Sequence, residues 1–573
     1  LLALKNLIQV YRGDKEEDNR DSLQFKRVQS LPDFIANRFE KNSDIVKKAK
    51  YRIQFNIDRY SQGNAVPKIR EVMGSKPYNK VFTDFITNST LSSTPTETNP
   101  IESIEGVAKV TMIGPKEGGA SSERMIPMEA RNIHPSNLGI LDPSRTPESS
   151  TAGIDLRFTI SAKRDKDGIL YTAVKDKKGV LKYISVQEMM KSTIGFPNQE
   201  DKSKDSDLVH AQVRGKMREV PRSQVDYWVS DSTHMYTITT NLVPFLNSNH
   251  PGRLTMAGKA ITQALSLENR ELPLVQTLDD TNTAFVDRLG KMISTRSPTT
   301  GSVSKVTKNT VEIKGDDGSK HTLDLVRNLP FNMKGFLDDS APVVKEGDKI
   351  KKGDLIADNN YTVGGKLALG KNLYVGYMPY KGFNHEDGIV ISRRAADSLS
   401  SLHSYKYSYS LKIDSTLSKA LFRRYFGQKF TATQLDKLDD KGIIKPGMKL
   451  VYGDPIFTIL EKKQPTEIDR ALGRLDKLLM NPYKAKVETW DHEEAAEVVD
   501  VHSEGADIRV LIRSVKPLGI GDKLTGLHGN KGIVSLILED HEMPHSKETG
   551  LPLDAILNPA SVTSRINLGQ IME

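Results

Sequence analysis

Apolar and polar positions alternate in short runs through much of the chain, and helical spacing is confined to a few stretches. Tyr405, Tyr407, Tyr409, Leu411 and Ile413 fall two residues apart and predict a strand with one covered face. Val311 and Ile313 alternate before Gly315-Asp316-Asp317-Gly318, and Leu323 and Leu325 alternate after it, which predicts a hairpin. A second hairpin is predicted around Lys175-Asp176-Lys177-Lys178-Gly179, between Leu170–Val174 and Val180–Ile184. Ser185-Val186-Gln187-Glu188 then has the spacing of a helix capping box. Ser30-Leu31-Pro32-Asp33 offers a cap and a first-turn proline, so Phe34, Ile35 and Phe39 are expected to face a core. Ile468, Leu472, Leu475 and Leu479 form one stripe of a helix over 466–480. Residues 85–150 are rich in Ser, Thr, Pro and Gly and are expected to be largely irregular, with short strands such as Val107-Ala108-Lys109-Val110. Residues 197–208 read as a loop. The pattern is mixed α+β, with strands dominating the second half.

Composition narrows the picture. A chain of 573 residues exceeds the size at which one core stops growing, so several domains are expected. Lys and Arg exceed Asp and Glu by 82 to 73, a modest excess that permits an anionic partner without requiring one. The absence of cysteine excludes disulfides and thiolate metal sites within this chain. No apolar run approaches the roughly 18–20 residues that span a bilayer, so no membrane partner is expected.

The chemistry concentrates in Gly521-Asp522-Lys523-Leu524-Thr525-Gly526-Leu527-His528-Gly529-Asn530-Lys531-Gly532. Glycines let a backbone approach a ligand closely, and lysine is a compact phosphate-binding cation. On these residues alone a solvated turn between strands is the commoner outcome. Gly365-Lys366-Leu367-Ala368-Leu369-Gly370-Lys371-Asn372 nearly matches a phosphate-binding loop, but Asn372 stands where Ser or Thr is needed and a strand pattern follows, so that reading is rejected. Glu386 and Asp387 are adjacent carboxylates ahead of an apolar strand, able to contribute hard oxygens to magnesium. His385-Glu386 lacks the second histidine of a zinc motif, and His492 and His502 lack partners at metal spacing.

The lysine run resembles the GDK...HGNKG segment of the β subunit of multisubunit DNA-dependent RNA polymerases. The likeness continues through Met543-Pro544, Gly550-Leu551-Pro552-Leu553-Asp554, Leu557-Asn558-Pro559 and Ser564-Arg565-Ile566-Asn567-Leu568-Gly569-Gln570. Upstream, Met378-Pro379-Tyr380-Lys381-Gly382-Phe383-Asn384-His385-Glu386-Asp387 is similar to the family's MPW.GYN.ED. Arg131, His134-Pro135, Gly139, Thr146-Pro147-Glu148 and Gly153 resemble another family block, and Val243-Pro244-Phe245-Leu246 through Arg253 and Met256 a further one. Two positions depart. Ile140 stands where the pattern has an arginine expected to reach the nucleotide triphosphate, and Arg145 replaces a glutamate and is a candidate to restore the lost charge.

The resemblance implies template-directed nucleotidyl transfer. Lys523, Lys531, Arg565, Glu386 and Asp387 are its expected catalytic set. Lys523, His528, Lys531, Arg565, Arg145 and Arg253 are expected to bind nucleotide or nucleic acid. Glu386 and Asp387 would touch the second Mg2+ through water, while the principal Mg2+ belongs to a β′-type partner carrying NADFDGD. This chain is therefore expected to be inactive alone. The implied fold is a double-psi β-barrel with flap and lobe- or fork-derived modules. The expected divisions are 1–150 (fork and rifampicin-site region), 151–239 (lobe-side connector), 240–415 (first barrel part), 416–485 (flap, tip helix 466–480) and 486–573 (remaining barrel). The implied partners are template DNA, RNA, nucleoside triphosphates, an N-terminal β part on a separate chain and an initiation factor at 466–480. A split β subunit of this kind resembles those of jumbo bacteriophages, which would put it in the cytoplasm of an infected bacterium or in the virion. Two other readings stay open: a non-catalytic nucleic-acid scaffold with the same fold, and an unrelated nucleotide-binding enzyme built on Lys371.

Residues 82–115 are similar to the rifampicin-site region, but Ser93, Thr96, Gly106 and Lys109 stand where the family usually has Gln, Asp, His and Arg. The prediction is a rifampicin-resistant polymerase. Inhibition of transcription in vitro at low drug concentration would refute it.

Overall fold

The computed structural model of the chain describes residues 2–14, 19–41, 43–61, 79–89, 91–114, 119–197, 199, 206–339, 341–463 and 481–573. The expected tip helix 466–480 lies outside the described residues. Local signals produce most of the short elements. Ser30 donates from its backbone and its hydroxyl to Asp33 Oδ2 at 2.7 and 2.8 Å, opening the helix Leu31–Lys41. Both hairpins form: Leu170–Asp176 pairs with Leu181–Ser185, and Thr310–Gly315 with Lys320–Asp324. Ser185 caps the short helix Val186–Met189 by accepting from Glu188 N–H.

Two expectations need correction. The 85–150 stretch contains a helix, Pro100–Val107, so Val107 ends a helix and the strand is Lys109–Thr111. Asn99 caps it through Ile101 and Glu102 N–H, and Pro100 supplies the pre-set first turn. The tyrosine strand is Ser401–Ser410, and Ile413 lies beyond it, fully exposed. The chain leaves the strand where Leu411 N–H pairs with Ala506 O at the hairpin mouth.

Strands Ser401–Ser410, Asp507–Lys516, Ala496–Glu504 and Lys449–Leu450 form one antiparallel sheet, and Ser415–Thr416, Pro455–Lys462 and Tyr483–Thr489 another. They share a core of Phe422, Ile456, Phe457, Trp490, Val498 and Val510. Trp490 packs edge-on to Tyr405 at 5.1 Å and donates from its indole N–H to Glu494 O at 2.8 Å. This packing runs across residue 485, because strand 483–489 leads directly into Trp490. A second core forms where the helices Pro100–Val107, Pro251–Thr262 and Phe285–Ile293 meet, with Ile101, Leu254, Ala257, Ile261, Phe285 and Leu289 buried together. A third sheet built from residues 163–229 packs on Ile140 and Leu141. Among the described residues no helix is long and apolar enough to cross a membrane.

His403 is buried on the inner side of its strand, opposite Ser514. Desolvation, then Lys334 and Lys516, pull its pKa down to about 4. An unfolded imidazole takes its proton near 6.5. Between these values the unfolded chain binds more protons, so this contribution to stability is full above about pH 6.5 and is lost as the pH falls toward 4. The denaturation midpoint of the native chain should fall more between pH 7 and 5 than that of His403→Gln; equal drops would contradict this account.

Candidate nucleotide-binding site

The acidic pair is presented by a tightly wound turn. Asn384 is buried; its Oδ1 accepts from Tyr380 N–H at 2.8 Å and its Nδ2 donates to Met378 O at 2.7 Å. Lys381 and Glu386 both take left-handed backbone, at φ +47° and +53°. Such conformations cost non-glycine residues free energy and persist where the surroundings enforce them. The return is close enough that a Cβ on Gly388 would come within 2.5 Å of Phe383 O. Glu386 and Asp387 emerge exposed at the head of strand Gly388–Ser392.

That strand pairs in parallel with Gly532–Leu538, and Ile533 N–H donates to Asp387 O at 2.8 Å. Lys523–Leu524 pairs antiparallel on the other edge of the same strand, with Lys523 opposite Ile533. The five-stranded order is Val375–Tyr377, Ala555–Leu557, Gly388–Ser392, Gly532–Leu538, Lys523–Leu524. Lys523, Lys531 and the carboxylates therefore gather at one end of the sheet, all exposed.

The lysine loop is braced on both sides. Asp522 accepts from Gly519 N–H at 2.9 Å and from Lys516 Nζ at 3.2 Å. Asn530 Oδ1 accepts from Gly526 N–H at 3.0 Å. Gly529 has φ +66°, and a Cβ there would collide with Arg253 O and lie 3.1 Å from Ala257 N, so the loop lies directly on helix Pro251–Thr262. That helix carries Arg253, whose Nη1 reaches Gly529 O at 3.5 Å. Burial, then the neighbouring Arg565 guanidinium, lower the Arg253 pKa; Asp387 and Glu148 act the other way. Arg565 follows helix Ala560–Ser564, and its Nη2 contacts Asp387 Oδ1. Six expected residues thus converge: Glu386, Asp387, Lys523, Lys531, Arg565 and Arg253.

The segments that form the site fall within matches to a known family. Residues 294–573 match the model for RNA polymerase Rpb2, domain 6, and residues 95–163 that for RNA polymerase Rpb2, domain 3. The chain belongs to the RNA polymerase β-subunit (Rpb2) family. It is 29% identical over 592 residues to the DNA-directed RNA polymerase subunit beta of Prochlorococcus marinus (strain AS9601), covering 98% of this chain and 52% of that protein. The corresponding subunits of Acetivibrio thermocellus and Clostridioides difficile (strain 630) are 28% and 29% identical, with 100% and 97% of this chain covered and 47% and 46% of theirs. The chain spans about half the length of these curated relatives.

Two expected ligand-binding residues of this β-type subunit lie elsewhere in the architecture. Arg145 is largely buried and paired with Glu105 at 2.5 Å, against Gly258 on the helix that carries Arg253. Glu105 also accepts from Thr239, so the guanidinium neutralises an interior carboxylate and does not reach the site. Ile140 is fully buried in the third core. His528 is 1% exposed, with both ring nitrogens engaged, so it cannot contact a nucleotide. The phosphate-loop lookalike is closed: Asp358 accepts from Gly364 and Gly365 N–H at 2.8 and 2.7 Å, and Lys371 pairs with Glu271 at 2.6 Å. Lys109 pairs with Asp155 at 3.3 Å.

Glu386 and Asp387 carry the hard oxygens that magnesium takes. Asp387 has one oxygen on Arg565, and among the described residues no group of three or more His, Asp or Glu is placed to hold a metal. The pair could contribute to a magnesium shell but does not form a complete site among the described residues. The sequence reading missed Asn249, Asn384, Asn530 and Asn567, whose side chains fix the backbone of the site. Their signal was weak: Asn530 beside glycine and Asn249 ahead of a proline-started helix mark turns and not their function, and Asn384 and Asn567 carry no local signal.

Arg145→Met is expected to destabilise the subunit by about 3–5 kcal/mol, since it strands a buried carboxylate. Denaturant unfolding measures this. An unchanged midpoint, or a selective rise in nucleotide KM, would instead return Arg145 to the site.

Proposed function

We propose that this chain is the β-type half of the catalytic centre of a multisubunit DNA-directed RNA polymerase, binding the nucleoside triphosphate and the RNA 3′ end. The convergence of Lys523, Lys531, Arg565 and Arg253 on Glu386 and Asp387 carries the reading. Three of these segments come from one five-stranded sheet, which we take as the core of a double-psi β-barrel, and the unit around Phe422 and Trp490 as the flap-like module.

In the reaction an RNA 3′ hydroxyl attacks the α-phosphate and pyrophosphate leaves. Lys523 and Lys531 lie where they neutralise charge growing on the α-phosphate and the RNA end. Arg565 and Arg253 offer guanidinium forks to the outer phosphates. Arg565 exchanges Asp387 for phosphate oxygens, which leaves Asp387 without its counter-charge and able to share in holding a cation. Magnesium, which aspartates of a β′-type partner would hold with Glu386 and Asp387 beside it, would supply Lewis acidity to the transfer. These residues act by position and charge rather than by proton transfer. The chain is accordingly inactive without its partner. Glu148 acts electrostatically on Arg253. A non-catalytic scaffold is the second reading, favoured by the loss of the family arginine at Ile140.

Native pull-down with mass spectrometry and primer extension on the recovered complex tests the choice. The expected result is a partner carrying NADFDGD and magnesium-dependent synthesis that Lys523→Ala plus Lys531→Ala lowers by about a thousandfold or more. Synthesis indifferent to both lysines, or a complex without such a partner, would favour the scaffold.

A further inference from the structure

His528 sits at the centre of the lysine loop, yet its ring points inward and is 1% exposed. Its Nδ1 lies 3.0 Å from Asn249 Nδ2 and its Nε2 lies 2.8 Å from Glu573 Oε2. The orientation of the asparagine is fixed independently, because Asn249 Oδ1 accepts from Gly569 N–H at 3.0 Å. The amide therefore turns its NH2 toward the imidazole, Nδ1 must accept, and the ring proton resides on Nε2 and is donated to Glu573. A backbone donor thus selects the amide orientation, the amide selects the tautomer, and the tautomer selects the carboxylate. The backbone is tied in as well: Asn567 Nδ2 donates to His528 O at 2.9 Å. Asn249 precedes the helix that carries Arg253, and Asn567 follows Arg565 by two residues. We propose that His528 is a positioning residue, whose neutral Nε2–H tautomer sets Lys523 and Lys531 in register with the arginine pair.

The inference rests on the polymerase reading for its kinetic consequence but not for its structural one. The ring bonds fix the loop, while the Asn567-to-His528 backbone bond, which leaves Arg565 in place, survives a side-chain change. Loss of the ring bonds should therefore weaken stabilisation by the lysines and spare triphosphate binding.

The test compares the assembled complex carrying wild-type chain, His528→Phe, Glu573→Gln or Glu573→Leu. His528→Phe keeps a ring of similar size and deletes both hydrogen bonds. Glu573→Gln keeps an oxygen opposite Nε2, whereas Glu573→Leu removes it. Hydrogen exchange over 523–532 and single-nucleotide addition are both measured. The expected result is faster exchange of the loop in His528→Phe and Glu573→Leu, and a kcat lowered roughly 10- to 100-fold with nucleotide KM within about twofold. Glu573→Gln should recover most of the rate. Loop exchange unchanged in His528→Phe, or kcat and KM worsening together, would overturn the proposal. If loop exchange responds as expected but the Lys523→Ala plus Lys531→Ala complex remains fully active, the polymerase reading fails and the positioning role of His528 stands.

Discussion

Parallel pairing of Gly388–Ser392 with Gly532–Leu538 is the constraint on which the site depends. Parallel strands cannot be joined by a short turn, so a long connection must intervene. Here it contains the two sheets packed around Phe422 and Trp490. The pairing sets the carboxylates of one strand beside the lysines flanking the other. Register matters in such a sheet: a slip of one residue would exchange the two covered faces of Gly388–Ser392 and part Asp387 O from Ile533 N–H. Burial of Val390, Ile391, Val534 and Ile556 holds that register, so the hydrophobic core and the charged rim are one arrangement seen from two sides.

Local features were legible in the sequence because their causes are local. Both hairpins, the Ser185 cap and the Ser30 start follow from residues within a few positions of each other. The Pro100–Val107 helix was equally local, but the Ser- and Thr-rich background concealed the signal of Asn99-Pro100. Of the site, the charged set was read from motif resemblance, and periodicity alone could not have joined Asp387 to Arg565. Arg145 and His528 were misread for the same reason. Whether a cation or imidazole faces solvent or an interior partner depends on distant residues: Glu105 and Thr239 for one, Asn249 and Glu573 for the other.

Asparagine recurs as the fastener of this centre. Asn384 closes the turn that presents the acidic pair, Asn530 closes the lysine loop, and Asn249 and Asn567 join that loop to the arginine-bearing segments. Asn249 and Asn384 each donate and accept at once, Asn530 accepts and Asn567 donates, and none of them carries charge. Carboxylates fasten the same loop elsewhere, Asp522 through Gly519 N–H and Glu573 through His528, so the amides add neutral ties beside charged ones.

The contact between Asp387 and Arg565 has a consequence for selectivity. With the guanidinium already matched to a carboxylate, the resting centre is less cationic than its residue count suggests. A bare anion that captures Arg565 leaves Asp387 stripped of its counter-charge, which lowers the net gain from binding. A ligand that arrives with its own divalent cation supplies Asp387 with a new partner in the same event. On the proposed reading, the ion pair would act as a filter against stray phosphate and other small anions and would favour anions that come already complexed to metal.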